Sequence, residues 1–219
     1  MKKCLPGVIG ILFVLASSPL AAQEVDQIHV GILVPYNAFG GSDFDGTHYF
    51  DTGSELIFVP KMDRGLGWGL VVGANRSENW DYELYYMRSS HHFTFLDVAD
   101  KAYLDAIGVN SRFYFISKGF IRPYANLGVD FTFLKVVNGS VTTSKPYIQG
   151  DAHFTGVGIL GGVGVSIVPL KSVFLFVGAE FRWNLFGKAK GGSGESQELE
   201  DLSSFAIGLR SGLGVRFSL

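Results

Sequence analysis

Ser89, Ser90, His91 and His92 set two hydroxyls beside two imidazoles, the groups from which a base-activated nucleophile or a metal site is built. Neighbouring side chains on an extended strand point opposite ways, no acid is placed beside the histidines by spacing, and no further ligands are identifiable. Neither a catalytic triad nor a zinc site is therefore expected. Asp43-x-Asp45-Gly46 has the opening of a calcium loop without its terminal glutamate, and reads as a polar loop. Glu195, Glu198, Glu200 and Asp201 read as a solvated loop, and Asn138-Gly139-Ser140 matches a glycosylation sequon that carries no inference of its own. A different grouping is spread along the chain: Glu83, Asn110, Arg112, Tyr124, Asn126, Asp130, Glu180, Arg182, Asn184, Arg210 and Arg216. Three acids and four arginines could line an ion path or neutralise one another in an interior. The second is favoured, because buried charges persist when paired and hydrogen-bonded.

Period-two alternation is what would bring those residues together. Gly156, Gly158, Gly162, Gly164 and Ser166 share one parity and Val157, Ile159, Val163, Val165 and Ile167 the other, the signature of a strand despite the Gly158-x-x-x-Gly162 spacing. Seven other segments alternate likewise, each near the 9 to 11 residues that a tilted strand needs to cross a bilayer. The expected strands run over 27–36, 66–75, 80–89, 103–116, 122–134, 153–168, 172–184 and 203–219. Three connections are short (76–79, 117–121, 169–171), and four, after Tyr36, Ser89, Leu134 and Asn184, are long. The fold class expected is all-β: a closed antiparallel transmembrane β-barrel of about eight strands with short periplasmic turns and long extracellular loops.

Residue type assigns the faces. In the last segment Phe205, Ile207, Leu209, Leu213, Val215, Phe217 and Leu219 alternate with Ala206, Gly208, Arg210, Gly212, Gly214 and Arg216. A soluble sandwich would also alternate, but a solvated face tolerates large polar groups, whereas an eight-strand lumen is just wide enough for side chains to fill and calls for small ones. On the apolar parity the aromatics gather near strand ends, Trp80, Tyr82 and Phe113 toward the inner side and Tyr36, Trp68, Phe131 and Trp183 toward the outer, as two interfacial girdles. The apolar residues of the first two loops, Phe39, Phe44, Tyr49, Phe50 and Leu56 to Val59, then Phe93, Phe95, Leu96 and Val98, mark either an exposed binding surface or strands that continue beyond the membrane and pack together.

Composition supports this class. Charged residues are 17% and glycines number 29 in 219 residues, low and high respectively for a soluble domain. Residues 1–22 read as a cleaved signal peptide: Lys2 and Lys3, an apolar run from Val8 to Ala16 too short to span a bilayer, and Leu20-Ala21-Ala22. Residues 23–219 are expected to form one barrel domain. Losing the two lysines takes the formal charge from −2 to −4, and no basic block is present for nucleic acid. The single cysteine, Cys4, lies inside the leader, so neither a disulfide nor a lipid anchor is expected.

The carboxyl end GLGVRFSL, with Gly214-x-x-Phe217-x-Leu219, resembles the assembly signal of the small OmpA/OmpX/OmpW-like outer-membrane barrels. It departs from it in ending on leucine rather than an aromatic residue. Tyr82–Tyr86 and Arg122–Val129 are also similar to strands of that family. The resemblance implies a monomer in the bacterial outer membrane, exported with periplasmic chaperones, inserted by the outer-membrane assembly machinery, and surrounded by lipid and lipopolysaccharide. It implies no single activity, since such barrels serve as structural proteins, adhesins, narrow conduits and occasional enzymes; neither a cofactor nor catalysis is expected here. A structural or surface-interaction barrel with a filled lumen and an unidentified extracellular partner is expected here, ahead of a narrow channel for small apolar solutes. A lipid-modifying enzyme using a serine or histidine near the outer rim stands third.

Overall fold

The computed structural model describes residues 27–41, 43–95, 98–194 and 196–218; the expected leader and Leu219 lie outside them. Eight long strands form the ring: β1 (Gln27–Gly40), β4 (Gly65–Ser77), β5 (Trp80–Phe95), β6 (Val98–Tyr114), β7 (Ile121–Thr142), β8 (Gln149–Leu170), β9 (Val173–Lys190) and β10 (Ser196–Ser218). Each pairs antiparallel with its neighbours in sequence, and β1 pairs with both β4 and β10, which closes the ring. Closure leaves no sheet edge along the ring with unpaired backbone groups, the condition for strands in a bilayer. The remaining strands, β2 (Tyr49–Asp51) and β3 (Glu55–Phe58), form a hairpin that attaches to the tip of β7 through Glu55↔Thr142 and its neighbours.

Three of the four expected long loops are instead strand. β5 continues past Ser89 and pairs with β6 to Phe95↔Val98. Beyond Leu134, β7 runs on to Thr142, with a bulge where Asn138 adopts φ 55°; beyond Asn184, β9 runs on to Lys190. Only the connection spanning 41–64 is long. The expected strand ends fell where outward side chains cease to be apolar, but backbone pairing does not stop there.

What changes at that point is polarity. On β7 the outward Leu127, Phe131 and Phe133 give way to Lys135, while the inward Asn126, Asp130 and Thr132 give way to Leu134 and Val136. On β9 the outward Phe181 and Trp183 give way to Lys188 and Lys190, and the inward Arg182 and Asn184 to Phe186 and Ala189. The lower part of the barrel is apolar outside and polar inside; the upper part is arranged like a water-soluble protein. Phe39, Phe44, Ile57, Val59 and Met62 pack with Phe93, Leu104, Leu134, Phe154 and Phe186 into an apolar core under the hairpin. The apolar residues of the first connection are thus largely interior, Phe44 lying 5.1 Å from Phe39 and 5.7 Å from Phe186, ring to ring, whereas Tyr49 is exposed. Of the second group, Phe93 is buried in the same core; the side chains of Phe95, Leu96 and Val98 lie outside the described ones.

Glycine gives the lumen its shape. A Cβ on Gly212 or Gly214 would strike the rings of Phe176 or Phe174, one on Gly158 would strike Asp130, and one on Gly164 would meet the Tyr124 hydroxyl. Large lumen side chains therefore lie over glycines of neighbouring strands. Gly164→Val is expected to overpack the lumen by about 1–3 kcal/mol, lowering the yield of the form that migrates faster unheated than boiled. Gly187→Ala, whose Cβ meets nothing within 4 Å, should leave that yield unchanged. A mainly helical circular dichroism spectrum of the detergent-folded protein would contradict the architecture itself.

Candidate functional site

Inward parity on β5, β6, β7, β9 and β10 converges on the middle of the lumen. Glu83, fully buried, accepts a hydrogen bond from Asn110 at 2.9 Å and pairs with Arg112 at 3.0 Å, with His29 Nε2 at 3.4 Å and Arg210 at 4.0 Å. Arg210 also pairs with Glu180 at 3.0 Å, and Asn126 bridges Glu180 and Asn110 at 3.1 and 3.2 Å. A second cluster surrounds Asp130, which accepts from Tyr85 at 2.6 Å and Thr132 at 2.7 Å and lies 3.3 Å from Arg182 Nε. Asn184 joins it through Thr132 at 3.3 Å and reaches Ser204 at 3.0 Å.

Aromatic faces complete the arginine environments. Arg112 lies between Tyr124 and Phe176, each centroid 4.6 Å from its guanidinium carbon, and Arg210 lies 4.8 Å from the Tyr85 ring. Arg216, near the end where the termini lie, stacks over Phe174 at 4.7 Å and has no acid partner among the described residues. Several members were not selected from sequence. Asp81, which accepts from Tyr114 at 3.0 Å, and Tyr85 share the parity of Glu83, and Thr132 that of Asp130, so alternation could have found them. His29, Phe174 and Phe176 also follow parity, but apolar and aromatic lumen residues run against the expectation of a small, polar interior.

Above this network the hairpin is latched. Glu55 is buried and its carboxylate accepts from Gly192 N at 2.8 Å, Ser193 N at 3.2 Å and Ser193 Oγ at 2.7 Å. Nothing in local spacing announced this residue, because its partners are 137 and 138 positions away. Ser89 and His91 do meet: the Ser89 hydroxyl donates to His91 Nε2 at 3.0 Å, and His91 Nδ1 donates to the Asp63 carbonyl at 2.9 Å. Both are wholly buried, and the imidazole lies against the Cα of Gly65, so this pair ties the first connection to the barrel wall and offers no substrate route. Ser90 and His92 point outward. Asp45 is engaged by Thr47 and His48, and among the described residues no three potential ligands gather as a metal site.

The girdle aromatics face outward. Trp80 and Phe113 are 4.9 Å apart at the end bearing the short turns, with Tyr82 stacked on Trp80 at 6.4 Å. Tyr36, Trp68, Phe131 and Trp183 are exposed on the same outer surface, Trp68 packing on Tyr86 at 5.6 Å. At the carboxyl end Gly214 faces in and Phe217 out.

No protein-family model matches the sequence, and no curated protein matches it either. Among solved structures, Neisserial surface protein A superposes with a TM-score of 0.58 at 15% identity over 87% of this chain and 97% of that one. A major outer membrane protein from Thermus thermophilus gives 0.55 at 10% identity, covering 87% and 99% of the two chains. The outer membrane protein OprG from Pseudomonas aeruginosa gives 0.53 at 14%, covering 90% and 98%. The chain has the fold of small outer-membrane β-barrels, and at these identities the likeness is one of fold.

The lumen geometry ranks the effects of its substitutions. Glu83→Ala leaves the buried Arg112 with no acid partner and removes the partner of His29, while Arg210 keeps Glu180, and is expected to cost about 3–5 kcal/mol. Glu180→Ala should cost less, its side chain being 16% exposed and so able to leave Arg210 hydrated. Urea unfolding of the detergent-folded barrel measures both; equal, negligible losses would show that these groups face bulk water.

Proposed function

We propose that the protein is a bacterial outer-membrane barrel with a structural and surface-interaction role, closed to solutes, with both termini in the periplasm. The observation that carries this reading is that the interior is occupied at two successive levels. Charged and aromatic side chains interlock across the lower lumen, and an apolar core roofed by the latched hairpin fills the upper one. The membrane placement is supported by the exposed aliphatic and aromatic belt, including Ile32, Leu70, Val163, Val177 and Leu213, which no water-soluble monomer sustains over such an area. The inversion of polarity above that belt supports an upper barrel standing in water. Its tip offers Tyr147 and Ile148, 64% and 60% exposed, as an apolar contact point for an extracellular partner, with the hairpin's exposed Tyr49 a further one. Residues 1–22 serve this reading as the export leader, and insertion would use the outer-membrane assembly machinery with periplasmic chaperones.

Recording in planar bilayers is expected to show silence. A steady conductance that disappears or changes on deletion of 44–59 would instead favour the channel for small apolar solutes, which the apolar upper interior makes the second reading. Loop-dependent binding to cells or matrix would support the interaction role.

The latch has its own pH dependence. Burial acts to raise the Glu55 carboxyl, but the hydroxyls of Ser140 and Ser193 and the amides of Ser193 and Gly192 together hold it below its ordinary 4.5. A depressed carboxyl stabilises above its ordinary value and loses that contribution as pH falls through the lowered one. The hairpin should thus resist thermolysin at neutral pH, and within the acid range where pepsin works its cleavage should rise as pH falls through the lowered value. Glu55→Gln should show increased cleavage within 43–64 already at pH 7; resistance identical to the parent protein would mean that the hairpin is held by its apolar face alone.

A further inference from the structure

On the wall formed by β7, β8 and β9, the apolar outward rows reach Phe133, Val157 and Leu185, and the outward positions beyond them carry Lys135 and Val137 on β7, Thr155, His153 and Asp151 on β8, and Lys188 and Lys190 on β9. Register sets these side by side: Lys135 opposite His153, His153 opposite Lys190, and Thr155 opposite Lys188. Adjacent strands lie ~4.8 Å apart, so the row from Lys135 to Lys190 spans only about 10 Å of wall. Lys135 is partly neutralised by Asp151 at 2.6 Å, and Glu198 stands across from Lys188 in the register with β10. The ammonium groups of Lys188 and Lys190 are exposed and make no ion pair among the described residues. Beneath them the wall is recessed. A groove of about 310 Å³ runs between Ile107, Val129, Phe131, Val157, Trp183 and Leu185, floored by the backbones of Gly108 and Gly158. A larger groove of about 560 Å³ lies lower on the β4–β7 wall, between Val72, Tyr82, Leu84, Val109 and Leu127, and the outward positions at the upper end of β1 are Tyr36 and Ala38.

A groove shaped for hydrocarbon, with lysines that make no ion pair among the described residues just above the apolar belt, matches a lipid that carries phosphate over acyl chains. We propose that the β7–β9 wall is a binding site for the phosphorylated acyl glycolipid of the outer leaflet, lipid A, with an acyl chain along the Phe131–Val157–Leu185 groove and a phosphate between Lys188 and Lys190. The inference rests on the outer-membrane reading above. Lysine charges at a membrane surface act additively on anionic headgroups, and the groove supplies the selectivity for an acylated one.

The test uses the full mature chain, folded in a neutral detergent and presented with diphosphoryl lipid A, dephosphorylated lipid A or phosphatidylglycerol, with native mass spectrometry reading the lipid retained. Diphosphoryl lipid A is expected to be held preferentially. Retention should fall about thirtyfold in Lys188→Gln/Lys190→Gln, as two such surface charges imply, and be unchanged in Lys118→Gln/Lys171→Gln at the opposite end. Heat-dependent gel migration shows that both variants are folded. Equal retention of the dephosphorylated lipid or of phosphatidylglycerol would overturn the proposal, as would undiminished retention in the Lys188/Lys190 variant. Fractionation of the protein away from the outer membrane would sink the membrane reading independently of this result.

Discussion

The narrowness of an eight-strand ring governs the rest of this molecule. A closed sheet of that size has an interior that side chains alone can fill, so each large lumen group needs a small one opposite and each charge needs a partner within reach. The first is met by pairs on neighbouring strands, Phe176 over Gly212, Phe174 over Gly214 and Tyr124 over Gly164; the second is met for Glu83 by Arg112 and Asn110 of the adjoining strand and by His29 from across β4. A slip of one residue in any of these strands would turn a charge toward lipid and a leucine or phenylalanine into the lumen. The network therefore specifies register as well as filling space.

The same strands meet two solvents. Within the belt, hydrocarbon selects apolar outward residues and leaves polarity for the inside; above it, water reverses both preferences without interrupting the hydrogen-bond ladder. The barrel is taller than a membrane crossing demands, with 22 residues in β7 and β8 and 23 in β10. Its upper third is a small apolar-cored sheet closed by the β2–β3 hairpin. What an outer-loop surface would otherwise present as flexible chain is presented here as rigid strand tips.

This arrangement bears on function through what it encloses. Ser89 and His91 have hydrogen-bond geometry that could activate a hydroxyl, yet they are sealed between the first connection and the wall, so their geometry serves adhesion of that segment. Of the charged residues that could have lined a conduction path, Glu83, Asp130, Glu180, Arg112, Arg182 and Arg210 pair with one another, and Arg216 is covered by the Phe174 ring. Features open to a partner lie on the outside: the strand tips, the girdles and the basic row above the β7–β9 groove.

The barrel class, the eight ring strands and the assignment of inward and outward faces were legible in the sequence, because alternation with a period of two survives in every strand and lipid enforces it on one face. Glu83, Arg112, Asp130, Glu180, Arg182 and Arg210 were legible for the same reason, since a charge on the parity opposite to an apolar row has nowhere to go but inward. Strand ends were not legible, because the cue used for them, apolar outward residues, marks the edge of the hydrocarbon and not the end of pairing. Nor were the contacts. That Glu55 closes on Gly192 and Ser193, that His29 reaches Glu83, and that Lys135, His153 and Lys190 form one row depend on which strands become neighbours, at what stagger, and on how the first connection folds back over the mouth. Local sequence sets which way a side chain points; only closure of the ring decides what it meets.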